Sequence, residues 1–191
     1  LKKELFVSLD QIVRTDAVFA SNTSSISIAR LASVTRRAEK FIGMHFMNPV
    51  PVMRLVELIS TIATKQKVTK RCVQFVHFIG KKETVSQDFP GFVVNRLLMP
   101  MINEAFNLLM ERVATAEDID TAMQLGTNHP MGPLALADFI GLDTCLSIMN
   151  VLYDGFKDSK YRPSPLLQQY VDLGWFGRKT NKGVFVYESS C

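Results

Sequence analysis

No uninterrupted apolar run in this chain reaches the ~18 residues that a membrane-spanning helix needs, so no membrane partner is expected. Cysteine is scarce. Cys72, Cys145 and Cys191 are odd in number, far apart and without a CxxC, which suits reduced thiols of an intracellular protein and excludes a disulfide framework. A complete Gly-rich phosphate loop is missing, as are GxSxG, HExxH and Walker patterns, so no metal site is expected and no single motif announces a reaction. Repeats and low-complexity segments are lacking too. Charge of one sign is hardly in excess: 22 Lys and Arg against 18 Asp and Glu leave +4, spread along the chain. That distribution argues against a nucleic-acid partner and suits an anionic small ligand equally well. What remains is a globular composition, 47% hydrophobic and 21% charged, which excludes a disordered chain.

Hydrophobic spacing divides the chain in two. Leu1, Leu5, Leu9, Ile12 and Val13 recur at helical intervals, predicting an amphipathic helix over 1–14. Ala17-Val-Phe-Ala-Ser21 reads as a buried strand. Asn22-Thr-Ser-Ser25 then leads into a helix near 26–33, with hydroxyls placed to cap its first amides. Strands at 41–46 and 55–59, a helix over 68–79 ending at Gly80 and a short strand at 83–86 follow. Strands alternating with helices predict a parallel α/β layer. At Asp88-Phe-Pro-Gly91 the pattern turns helical: a long apolar helix over 92–112 containing Pro100, a helix opened by Thr115, helices over 134–140 and 142–156, and one capped by Ser164 before Pro165. A basic loop then precedes a strand at 184–187. The expected organisation is an α/β domain over 1–88 and an all-helical domain over 89–191.

The most informative stretch holds one ionisable residue in each of two apolar strands, His45 in Phe41-Ile-Gly-Met-His-Phe and Glu57 in Leu55-Val-Glu-Leu-Ile59. A buried charge is costly, but an imidazole and a carboxylate can satisfy each other, and a carboxylate-held imidazole accepts protons near neutral pH. Ser24 just after a strand, Asn48 in the stiff Met47-Asn-Pro-Val-Pro51 turn, and Asn95 early in the long helix could join them at a cleft between domains. Each also has an ordinary structural reading. His45 can be a satisfied core histidine, Glu57 a solvent-facing strand residue, Ser24 a helix cap, Asn95 an interdomain hydrogen bonder and Asn48 a turn former. Lys2, Lys3 and Lys179 can be solvated surface, while His77 and His129 read as helix-surface and turn residues. Spacing alone supports only an α/β plus α protein with a His–Glu pair.

Taken together, Ala20-Ser-Asn-Thr-Ser-Ser25, Gly43-Met-His-Phe-Met-Asn-Pro-Val-Pro51, Leu55-Val-Glu-Leu58, Asp88-Phe-Pro-Gly-Phe-Val-Val-Asn-Arg96, Asp118-Ile-Asp-Thr-Ala-Met123 and Pro130-Met-Gly-Pro133 resemble the L-3-hydroxyacyl-CoA dehydrogenase family in order and separation, from Leu1 to about Tyr187. The 3-hydroxybutyryl-CoA dehydrogenases belong to that family. The resemblance implies the C-terminal part of a Rossmann-like dinucleotide domain followed by a helical dimerisation and substrate domain. It also implies NAD-dependent oxidation of (3S)-3-hydroxyacyl-CoA in fatty-acid β-oxidation or butanoate metabolism, with NADP left open. His45 resembles the family's base and Glu57 the carboxylate that orients it. Ser24 and Asn95 resemble the groups that hold the reacting oxygen and position the nicotinamide. Asn48, Lys2 and Lys179 resemble cofactor-side contacts.

In that family a strand, GxGxxG turn and helix should precede Leu1, so the chain reads as a piece of a longer protein. Alone it is expected to be inactive and to bind NAD weakly or not at all; micromolar affinity by calorimetry would overturn this. The resemblance also implies a homodimer through the helical domain. It implies an intracellular setting: cytoplasm in a bacterium, mitochondrion or peroxisome in a eukaryote. A crystallin-like structural member of the same fold is the alternative, and the intact Ser24, His45, Glu57 and Asn95 favour the enzyme. A bare helical dimerisation module is a weaker third reading.

Overall fold

The computed structural model describes residues 1–24 and 26–188. Ser25, one of the expected capping hydroxyls, and Cys191 lie outside that range. The chain forms two compact units, Leu1–Val93 and a second from Val94 onward.

The first unit runs α1 (Lys2–Ile12), β1 (Phe19–Ser21), α2 (Ile28–Ala32), β2 (Phe41–Phe46), β3 (Leu55–Ser60), α3 (Gln66–Phe78) and β4 (Lys82–Gln87). The strands lie in the order β1-β2-β3-β4. The expectation of a parallel layer needs correction. β1 and β4 run parallel to their neighbours, but β2 and β3 are antiparallel, with His45 directly opposite Glu57. The cause is the connection over 47–54, which is a turn with no helix and cannot carry the chain back for a parallel crossover.

Period-2 alternation sorts the strand side chains onto two faces. Ile42, Met44, Val56 and Leu58 pack on Val68, Cys72 and Val76 of α3. Phe41 and Ile59 face Phe6, Ile28 and Leu31 of α1 and α2. Gly43 on this second face lets α2 approach: a Cβ there would meet Ile28 Cδ1 at 2.8 Å and Ile59 Cβ at 2.9 Å. The α1 face is also tied by charge. Buried Asp10 accepts from Arg37 Nε at 2.6 Å and from the Arg36 amide at 2.8 Å, and Arg37 lies over the Phe19 ring. The Arg36 amide, foremost, with both guanidiniums, holds the Asp10 carboxyl below its ordinary range despite burial.

The cap of α2 is another correction. Ser27 is the N-cap residue, and the carboxylate of distant Asp88 accepts from the Ile28 and Ala29 amides and the Ser27 hydroxyl. Thr23 Oγ1 accepts instead from the Ile26 amide, one turn earlier.

The second unit runs α4 (Val94–Met110, with Pro100 inside), α5 (Ala116–Thr127), α6 (Pro133–Ile140), α7 (Leu142–Phe156) and α8 (Pro165–Asp172). Thr115 caps α5 by accepting from the Asp118 amide. Its core gathers Met99, Ile102, Phe106, Leu134, Leu142 and Met149. The expected strand at 184–187 is not there; the tail forms only isolated bridges, Gly177 with Lys182 and Lys182 with Val186. Its backbone instead serves the buried carboxylate of Asp138, which accepts from the Val184 and Phe185 amides and the Tyr187 hydroxyl. Among the described residues, no single helix is long and apolar enough to cross a membrane.

Candidate active site

The antiparallel register of β2 and β3 sets His45 and Glu57 on one face, and their side chains meet: Nδ1 lies 2.9 Å from Glu57 Oε2. Both residues are buried, His45 at 8% and Glu57 at 0% exposure, which makes this contact the answer to the desolvation of both groups. The second carboxylate oxygen, Oε1, accepts from the Val93 amide at 3.0 Å. An ionised carboxylate is acceptor-only. With both oxygens accepting, the imidazole hydrogen belongs on Nδ1, and Nε2 keeps the lone pair. The Phe92 ring makes a T-shaped contact with the imidazole, centroids 5.8 Å apart.

Other candidates gather at the same end of the sheet. The parallel register of Ser21 with Gly43 brings the loop after β1 beside the end of β2 that carries His45. In that loop Asn22 Oδ1 accepts from the Phe46 amide, and Lys2 Nζ donates to the Asn22 carbonyl at 2.6 Å. Ser24 is half-buried two residues later. Asn48 is exposed in the turn joining β2 to β3. Lys81 holds that turn, its ammonium donating to the carbonyls of Val50 and Met53. Asn95 and Lys179 belong to the second unit. Asn95 is buried in the first turn of α4, and Lys179 sits on both carboxylate oxygens of Asp143, at 2.5 and 2.6 Å. His77 pairs with Glu83 on the surface.

Sequence reasoning missed the Val93 amide, Phe92, Asn22 and Lys81. Backbone donors and lysine-to-carbonyl clamps leave no residue-type signature. The Pro90-Gly91 pair was a readable signal for a defined turn, but it reads first as a domain junction.

Two family models cover nearly the whole chain: the NAD binding domain of 3-hydroxyacyl-CoA dehydrogenase over residues 1–89, and the C-terminal domain of the same enzyme over 91–187. The 3-hydroxybutyryl-CoA dehydrogenase of Bradyrhizobium diazoefficiens is 57% identical over 190 residues, 100% of this chain and 65% of that protein. The human mitochondrial hydroxyacyl-coenzyme A dehydrogenase is 44% identical, matching 98% of this chain and 60% of its own length. The crystal structure of the (S)-3-hydroxybutyryl-CoA dehydrogenase from Ralstonia eutropha superposes with a TM-score of 0.96 at 53% identity, covering 98% of this chain and 66% of that one. The chain thus spans a little under two thirds of the length of such relatives. Matched along both units by one pair of family models, it belongs to the 3-hydroxyacyl-CoA dehydrogenase family.

Proposed function

We propose that this chain carries the proton-transfer half of an NAD-dependent dehydrogenase acting on (3S)-3-hydroxyacyl-CoA, with 3-hydroxybutyryl-CoA as the model substrate. One observation carries the reading: a buried imidazole anchored through Nδ1 to a carboxylate, 2.9 Å away, whose other oxygen is already engaged. Oxidising a secondary alcohol requires the hydroxyl proton to leave as hydride leaves the carbon. His45 Nε2 takes that proton, and Glu57 stabilises the imidazolium that forms. Nicotinamide, when bound, accepts the hydride.

The residues present fit the nicotinamide end of such a cofactor. The parallel pair β1 and β2 offers its carboxyl ends, where open α/β sheets take ligands; Ser24 and Asn48 lie on the loops there, and Lys2, at the start of α1, donates to the Asn22 carbonyl of the first of them. Ser24 and Asn95 are assigned to hold the reacting oxygen. Lys179 is assigned a cofactor-side role that would draw it from Asp143. The exposed Leu97 and Leu125 of the helical unit suit a homodimer contact.

The test is kinetic and uses the full-length enzyme. His45→Ala and Glu57→Gln should lower kcat by about 10²–10⁴-fold and about 10²-fold respectively, with NADH affinity little changed. Acetoacetyl-CoA reduction at the wild-type rate by both variants would remove the mechanism. No turnover by the unaltered full-length enzyme would favour a structural member of the fold, for which the dyad would be internal packing.

A further inference from the structure

Residues 88–93 form one tight segment after β4, and its contacts run to groups around the dyad. Asp88 caps α2, the helix that follows the Ser24 loop. Next comes a turn closed by the Phe92 amide on the Phe89 carbonyl at 3.0 Å, with Pro90 second and Gly91 third at φ +75°, the combination a type II turn demands. Phe92 then takes φ +49°. Asn128 and Lys157 also have positive φ, but they are left-handed caps ending α5 and α7, where that conformation is ordinary. Phe92 is no helix cap. A bulky, buried aromatic in this region is strained and persists only where its surroundings impose it.

The conformation has two consequences. It sets the Phe92 ring in a T-shaped contact with the imidazole of His45, and it turns the next amide, Val93 N–H, onto Glu57 Oε1. We propose that Phe92 is a positioning residue of the dyad: its left-handed backbone commits one carboxylate oxygen to Val93 and so presents the other to His45 Nδ1, while its ring braces the imidazole. This rests on the reading of His45 as the base. It also changes what Glu57→Gln means. With the Val93 N–H still demanding an acceptor, the glutamine must turn its carbonyl oxygen there and its NH₂ toward Nδ1. Nδ1 then accepts, the hydrogen moves to Nε2, and the proton acceptor is lost by tautomer inversion.

Long-range ¹H–¹⁵N NMR on this chain reads the tautomers without any activity, and three histidines make assignment simple. The expected results are Nδ1–H for wild type, Nε2–H for Glu57→Gln and a mixture of both for Phe92→Leu, which keeps apolar bulk but removes the ring. In the full-length enzyme Phe92→Leu should lose about tenfold in kcat, roughly 1.4 kcal/mol, at unchanged KM. Nε2–H in wild type would overturn the base reading together with the role of Phe92. Nδ1–H in wild type, retained in Glu57→Gln or undisturbed in Phe92→Leu, would overturn the positioning role alone. Should Phe92→Leu fail to fold, Glu57→Gln decides, because it leaves Phe92 and the Val93 amide in place.

Discussion

The two units hold their buried carboxylates in different ways. In the first, charge meets a side chain that can carry charge: Asp10 lies between Arg36 and Arg37, and Glu57 faces His45. In the second, the buried carboxylates of Asp120 and Asp138 are met mainly by backbone amides, Leu134 and Ala135 for one, Val184 and Phe185 for the other. Amides fix geometry without gaining or losing a proton. A side-chain partner that titrates near neutral pH can do chemistry, and the buried His45–Glu57 pair is where the proton acceptor is proposed. The helical unit spends its buried charge on joining segments distant in sequence; the α/β unit includes one pair able to change protonation state.

The sharpest way to break this contrast within the helical unit is Asp138→Ala. Asp138 is 1% exposed, and its removal strands two amides and the Tyr187 hydroxyl, whose pKa burial and the Asp138 hydrogen bond push up to about 12. A loss of about 3 kcal/mol is expected, since each buried group left unsatisfied costs of order 1 kcal/mol or more. Denaturant unfolding measures it. A loss indistinguishable from zero would mean the amide clasp is incidental.

A smaller effect sharpens the comparison through pH. Asp10 has its carboxyl pKa depressed from 3.8, first by the Arg36 amide and then by the guanidiniums, so the folded state binds its proton less tightly than the unfolded chain. Its contribution is present above pH 3.8 and is lost as pH falls through the depressed value. Asp120 is opposite. Burial raises its pKa despite two amide donors, so its contribution is greatest below 3.8 and shrinks as pH rises through the raised value. Melting of Asp10→Asn and Asp120→Asn against wild type between roughly pH 3 and pH 7 should therefore diverge. The Asp10→Asn deficit should close in acid, and the Asp120→Asn deficit should widen. Parallel trends would show that the two units do not differ in this respect.

Much of the site was readable because it obeys strand periodicity. His45 and Glu57 fall on the positions that alternation assigns to one face, and their burial made each the other's natural partner. The parallel layer was misread for a definite reason. Alternating strands and helices suggest crossovers, yet the segment 47–54 between the two dyad strands holds no helix, and that gap was the overlooked sign of an antiparallel pair. The α2 cap was illegible because its acceptor, Asp88, lies some sixty positions from the amides it serves. The tail at 184–187 reads as a strand from its run of β-branched and aromatic residues, but its amides answer a carboxylate on another element. Phe92 carried no mark in the sequence, because a left-handed phenylalanine follows from its surroundings and not from its own preference.

The most direct test of the central claim is the protonation site of His45 in the unaltered chain, read from its ring ¹⁵N shifts where the imidazole is neutral. A hydrogen on Nδ1 and a lone pair on Nε2 is the predicted result. A hydrogen on Nε2 would contradict the account, since the nitrogen turned away from Glu57 could then no longer accept the substrate's proton.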